Sequence, residues 1–93
     1  MKKQDLASRF AEIILQHLRS KKGRLTRISD KCQINRREFT TEGISRMRIY
    51  RLLVIFWAME LEMYNGEYEL MTTELRNAFE DYITQLDTMS INR

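Results

Sequence analysis

An all-α fold follows from three features of these 93 residues. There is no proline and there are only three glycines, at positions 23, 43 and 66, which is too little turn punctuation for a strand-rich fold. Apolar residues recur at steps of three and four, the helical period, rather than two. Hydrophobic residues make up 43 % of the chain, enough for a packed core and too many for a disordered polyelectrolyte. A chain of this length holds one core, burying roughly 60 to 65 % of the surface that its unfolded form would expose.

Five helical segments can be placed in order. Leu6, Phe10, Ile13, Ile14 and Leu18 form one face of a first helix over residues 4–21, which Gly23 can terminate. Thr26, preceded by Leu25, is a good N-cap for a short second helix over residues 27–32. Asn35 followed three residues on by Glu38 has the form of a capping box, and opens a third short helix that ends before Gly43. Ser45 can cap a fourth helix from Arg46 to Glu62. That helix holds the densest apolar run of the chain, residues 49–59, so most of its circumference is expected to be covered at the centre of the core, with Trp57 and the methionines as filling. After Asn65 and Gly66 break the pattern, a last helix covers residues 68–88.

Charge is divided along the chain. Residues 1–51 carry 14 Lys/Arg against 5 Asp/Glu, and residues 52–93 carry 2 against 8, so a modest total of +3 conceals a basic half and an acidic half. Concentrated basic charge is what a polyanion-binding surface requires, which makes nucleic acid the first partner to test. The acidic half would be repelled by the same polyanion and would orient the protein, basic end toward the phosphates.

Two short helices joined by a tight turn, with one helix before and a strongly apolar one after, have the organisation of a DNA-binding helix-turn-helix. The segment Leu18-Arg19-Ser20-Lys21-Lys22-Gly23-Arg24-Leu25-Thr26 resembles the junction of the first two helices in the phage-repressor and Cro type family, also called the XRE family. Ile28-Ser29-Asp30-Lys31-Cys32-Gln33-Ile34-Asn35-Arg36 resembles that family's Leu-Ala-x-x-Ala-Gly-Val-Ser-Arg, and residues 49–61 resemble its apolar fourth helix. The resemblance spans residues 6–63. It implies a five-helix, lambda-repressor-like helix-turn-helix fold, with a core over residues 1–66 and a C-terminal helix over residues 67–93 for packing or dimerisation. Arg27 stands where the family usually has Gln, and Gln33 where it commonly has Gly. Holding Gln33 at positive φ costs on the order of 1 kcal/mol.

The expected function is that of a sequence-specific regulator of transcription that binds double-stranded DNA. Exposed residues at the start of a recognition helix reach base edges in the major groove, where Arg can bond bidentately to guanine. Arg36, Arg37, Thr40 and Thr41 are the candidates, with the Asn35 cap beside them, while Phe39 reads as core together with Ile28 and Ile34. Arg27, Arg46 and Arg48 stand at or near helix starts, where backbone N–H groups also favour phosphate, and are expected to position the protein on DNA. The rival class is a helical protein-interaction module, such as an antitoxin-like or mobile-element accessory protein, in which the helix-turn-helix serves only as scaffold.

Other classes find little support. No nucleophile has a plausible base, no Gly-rich loop cradles phosphate, and Glu80 and Asp81 are sequence neighbours that point apart on a helix, so no enzyme is expected. One His and one Cys cannot build a metal site; His17 reads as structural and Cys32 as inert packing. No cofactor and no small-molecule ligand are expected. The N-terminal MKKQDLASRF lacks the apolar run of a signal peptide, and residues 52–59 are too short to span a bilayer, so a cytoplasmic protein without a membrane partner is expected. Lys2 and Lys3 read as a solvated tail. Tyr68, Met71, Leu75, Phe79, Tyr82, Leu86 and Met89 keep a spacing close to 3.5 residues, a seam suited to another helix. It serves either to close over the first and fourth helices or to form a homodimer through the C-terminal helix.

Overall fold

The computed structural model describes residues 6–91, with side chains described through residue 85. It is all-helical: α1 Leu6–Leu18, α2 Arg24–Cys32, a single 3₁₀ turn Arg36–Glu38, α3 Thr41–Ser45, α4 Ile49–Glu62 and α5 Asn65–Ile91. The first helix buries Ala11, Ile14, Leu15 and Leu18; Ile14 and Leu18 belong to the face that the spacing predicts, whereas Leu6, Phe10 and Ile13 are only half-buried and Ala11 and Leu15 enter the core instead. It ends earlier than expected because the chain turns at once: the Ser20 N–H and hydroxyl both donate to the His17 carbonyl, at 3.3 and 2.7 Å.

Gly23 has φ of +81°, which redirects the chain so that α2 starts at Arg24 rather than after Thr26. Thr26 therefore lies inside α2 and caps nothing. Arg24 is buried, donating to the His17 carbonyl and the Ser20 hydroxyl at 3.0 Å each and to Glu67 of α5 at 3.0 Å. Its Nε has no partner among the described residues. Lys21 reaches the other oxygen of Glu67 at 2.8 Å and lies over the Tyr64 ring.

The far end of α2 closes as the resemblance implies. Gln33 takes the left-handed conformation, φ 56° and ψ 39°. Its N–H donates to Asp30, and the Ile34 N–H to Ser29, the paired bonds of a Schellman turn, with the Ser29 hydroxyl returning to the Ile34 carbonyl at 2.6 Å.

The predicted third helix is not continuous. Asn35 caps the 3₁₀ turn by accepting from the Arg37 N–H at 2.9 Å, but Phe39 and Thr40 leave the helical region. Thr40 then caps α3, accepting from the Gly43 N–H at 2.9 Å. Gly43 thus lies within a helix rather than ending one. The reason is Phe39: turning its ring into the core, where it is 2 % exposed, breaks the helical path. Ser45 likewise does not cap α4, because its hydroxyl donates back to Glu42; Arg48 occupies that cap position. Gly66 does not break the last helix, which starts at Asn65 with the Glu67 carboxylate accepting from the Tyr64 N–H.

The core gathers Ile14, Leu18, Ile28, Phe39, Ile44, Ile55, Met59 and Met71. Helix α5 crosses α1, burying Met71 and Ala78 and half-burying Tyr68, Leu75 and Tyr82. The seam is therefore used, in its described part, within one chain, while Phe79 stays exposed and the Leu86 and Met89 side chains lie outside the described residues, as do Lys2 and Lys3. His17 in α1 bonds Glu74 in α5 at 2.7 Å, a structural role as expected. Helix α4 departs most from its sequence reading. It buries only Ile55, Ala58 and Met59, and Trp57 is 53 % exposed rather than core filling. No helix among the described residues is long and apolar enough to cross a membrane.

Candidate nucleic-acid interface

Backbone geometry brings the predicted DNA-contacting residues into one stretch, from the first turn of α2 through the Gln33 turn to the start of α4. Arg36 and Arg37 are exposed on the 3₁₀ turn. The Arg36 guanidinium donates to the Thr26 hydroxyl at 3.2 Å, which ties this turn to the first turn of α2. Arg37 and Arg48 are exposed and have no ion-pair partner among the described residues, and the same holds for Arg19, Lys22 and Lys31.

The other candidates are committed elsewhere. The Asn35 and Thr40 side-chain oxygens serve as caps, and Thr41 is half-buried as the first residue of α3. Arg46 pairs with Glu42 one turn back at 2.8 Å, an exposed contact of little energetic weight. Arg27 is bonded to Glu62 at the end of α4. Of the eight residues, Arg36, Arg37 and Arg48 are therefore the ones that are exposed with no carboxylate partner among the described residues.

Arg51 is a further member that sequence reasoning missed. From α4 it grips Glu38 with both nitrogens, at 2.9 and 3.1 Å, and so fixes the 3₁₀ turn on which Arg36 and Arg37 stand. The Arg51 hydrogen bond holds the Glu38 carboxyl below its ordinary value, and the Arg51 charge and the Asn35 backbone N–H act in the same sense. A cap Asn followed by Glu at three residues and Arg thirteen later carries no signal of this grip. Cys32 is half-buried, its thiol pointing to the Val54 carbonyl at 3.6 Å, and burial pushes its pKa up, so it stays protonated and poorly nucleophilic.

The charge division along the sequence is only partly a division in space. Glu62 and Glu67 from the acidic half lie against Arg27, Lys21 and Arg24, and Asp81 pairs with Arg9. The basic excess that remains unpaired is concentrated at residues 19–48. No group of His, Cys, Asp and Glu side chains among the described residues could hold a metal ion. No protein-family model, curated protein or solved structure matches this chain.

Proposed function

We propose that the chain binds duplex DNA through the unit formed by α2, the Gln33 turn, the 3₁₀ turn and α3, and acts as a small sequence-specific regulator of transcription. The observation that carries this reading is the exposed pair Arg36 and Arg37, standing without acidic partners on the element that follows a Schellman-closed helix. Arg36 and Arg37 read bases or grip phosphate, and Arg48 at the exposed start of α4 contributes a phosphate contact where free backbone N–H groups add to its charge. The likeness of this segment to the phage-repressor and Cro type family supports the same assignment. Because the reading element is a three-residue turn rather than a full helix, few base pairs are contacted directly, and affinity leans on phosphate.

Selection of bound sequences from a random duplex library tests the reading. A preferred sequence is expected, and Arg37→Ala is expected to weaken binding to it by about 1 to 3 kcal/mol and to relax preference at one or two base pairs. No enrichment, together with no binding to duplex at low salt, overturns it. That result would favour the rival reading, a protein-interaction module, for which the uncovered apolar face of α4 speaks.

A further inference from the structure

We propose that the outer face of α4 is the two-fold interface of a homodimer in which the α4 helices of two copies pack antiparallel. On this face Ile49, Tyr50, Leu53, Trp57 and Leu61 are 74, 63, 59, 53 and 58 % exposed, and Tyr64 just beyond it is 75 % exposed. Side chains of this size uncovered to that extent present roughly 900 Å² of mostly apolar surface, more than the ~300–600 Å² of the largest patch on an ordinary monomer and close to the ~800 Å² per partner of a standard interface. Tyr50, Val54, Trp57 and Leu61 follow one another at steps of 4, 3 and 4 residues, the spacing that keeps a seam facing a second helix. Met59, on the opposite side of α4, is fully buried in the core, so the helix is amphiphilic in neither direction: one apolar side is used and the other is left over.

Charge selects a second copy as the occupant and sets its direction. Near the start of α4, Arg46 and Arg51 are already paired within the chain with Glu42 and Glu38, which leaves Arg48 as the cation without an ion-pair partner there among the described residues. At its end Glu62 and Glu67 are likewise taken, by Arg27 and by Lys21 and Arg24, which leaves Glu60 and Glu69 as the acidic groups without an ion-pair partner among the described residues. Two copies laid antiparallel bring Arg48 of each helix toward Glu60 of the other; a parallel pair would set Arg48 near Arg48 and Glu60 near Glu60. The face is thus complementary to itself under a two-fold operation, the property of an isologous interface, which closes at two copies. With the axis between Val54 and Trp57, Tyr50 of one copy lies opposite Leu61 of the other.

Light scattering of the intact chain without DNA is expected to give a dimer at tens of micromolar, and Trp57→Glu with Leu61→Glu a monomer with unchanged helical circular dichroism. A control substitution on α5, Leu70→Glu, at an exposed apolar residue that does not line the groove shared by Ile49 and Leu53, is expected to leave the dimer in place. Orientation is read by oxidative cross-linking in a Cys32→Ser background: Tyr50→Cys and Leu61→Cys chains cross-link when mixed and not alone. A monomeric intact chain overturns the proposal, as does a dimer that survives the α4 double substitution. Cross-linking of each cysteine variant with itself overturns the antiparallel arrangement. None of these readouts involves DNA, so the outcome is separate from that of the functional reading.

Discussion

Gly43 and Gly66 both lie in helices, and a methyl group added to each would meet opposite surroundings. At Gly43 a Cβ would stand 2.3 Å from the Glu38 backbone carbonyl, because α3 folds back tightly on the 3₁₀ turn. At Gly66 it would meet nothing within 4 Å. Gly43→Ala should therefore destabilise the protein by about 1 to 3 kcal/mol in urea unfolding, whereas Gly66→Ala should stabilise it by about 0.5 kcal/mol through the lower entropy of its unfolded chain. Equal effects of the two substitutions would contradict the close approach at Gly43. Glu67 offers a second test at this scale. The Lys21 hydrogen bond holds its carboxyl below the ordinary value, helped by the Tyr64 N–H and the charges of Arg24 and Lys21, and Glu38 is lowered by Arg51. Both folded-state pKa values are depressed, so their stabilisation is fully present above the ordinary carboxylate pKa of ~4.3 and is lost as pH falls through the folded values. The urea midpoint should hold level at neutral pH and decline below about pH 4.5, with a shallower decline in Glu67→Gln.

The junction between α2 and the 3₁₀ turn depends on one strained residue. Gln33 closes α2 at positive φ with no side-chain hydrogen bond among the described contacts to offset that strain. Gln33→Gly should stabilise the fold by about 1 kcal/mol, without loss of helical signal, while a β-branched Gln33→Val should destabilise it. If Gln33→Gly proves neutral or destabilising, the left-handed cap is not the state the turn adopts in solution. The turn also explains why the 3₁₀ segment that follows it is short. Ile34 and Phe39 both point into the core, five residues apart, which leaves room for one 3₁₀ turn between them and sends the following residues into a separately capped helix.

For the whole molecule, the unpaired basic residues set the strength and salt dependence of any polyanion binding. Arg48→Ala should weaken binding to all duplex sequences about equally and reduce the slope of log affinity against log salt by about 1. Arg46→Ala and Arg27→Ala should have smaller effects, because each guanidinium already shares a carboxylate, Glu42 or Glu62, that phosphate would have to displace. An unchanged slope for Arg48→Ala would remove that residue from the contact set.

Much of the architecture was legible in the chain by itself. The absence of proline and the helical period specify helices, and the spacing of Ile14 and Leu18 specifies part of a buried face, because these signals act within a few residues of one another. The core positions of Ile28, Ile34 and Phe39 were readable for the same reason, as was Asn35 as a cap, whereas the left-handed Gln33 was suggested only by the family resemblance and was decided by the structure. Helix boundaries were less so: Thr26, Ser45 and Gly66 are all good local signals for an end or a start, and each is overruled by packing nearby. Gly23 turns the chain early to bury Arg24, the Ser45 hydroxyl finds Glu42, and Gly66 is carried within a helix whose first turn is held by Glu67. What only the tertiary structure decided was the use of long-range charges and of α4. Arg24 with Glu67, Arg27 with Glu62 and Arg51 with Glu38 join residues from 13 to 43 positions apart, and no local pattern encodes which carboxylate a guanidinium will meet. The apolar run of α4 could have been wrapped on all sides or on one. Periodicity says nothing about how many neighbours a helix has, and in this fold α2 and α5 cover only the side that carries Ile55, Ala58 and Met59, leaving Trp57 and Leu61 uncovered within the chain.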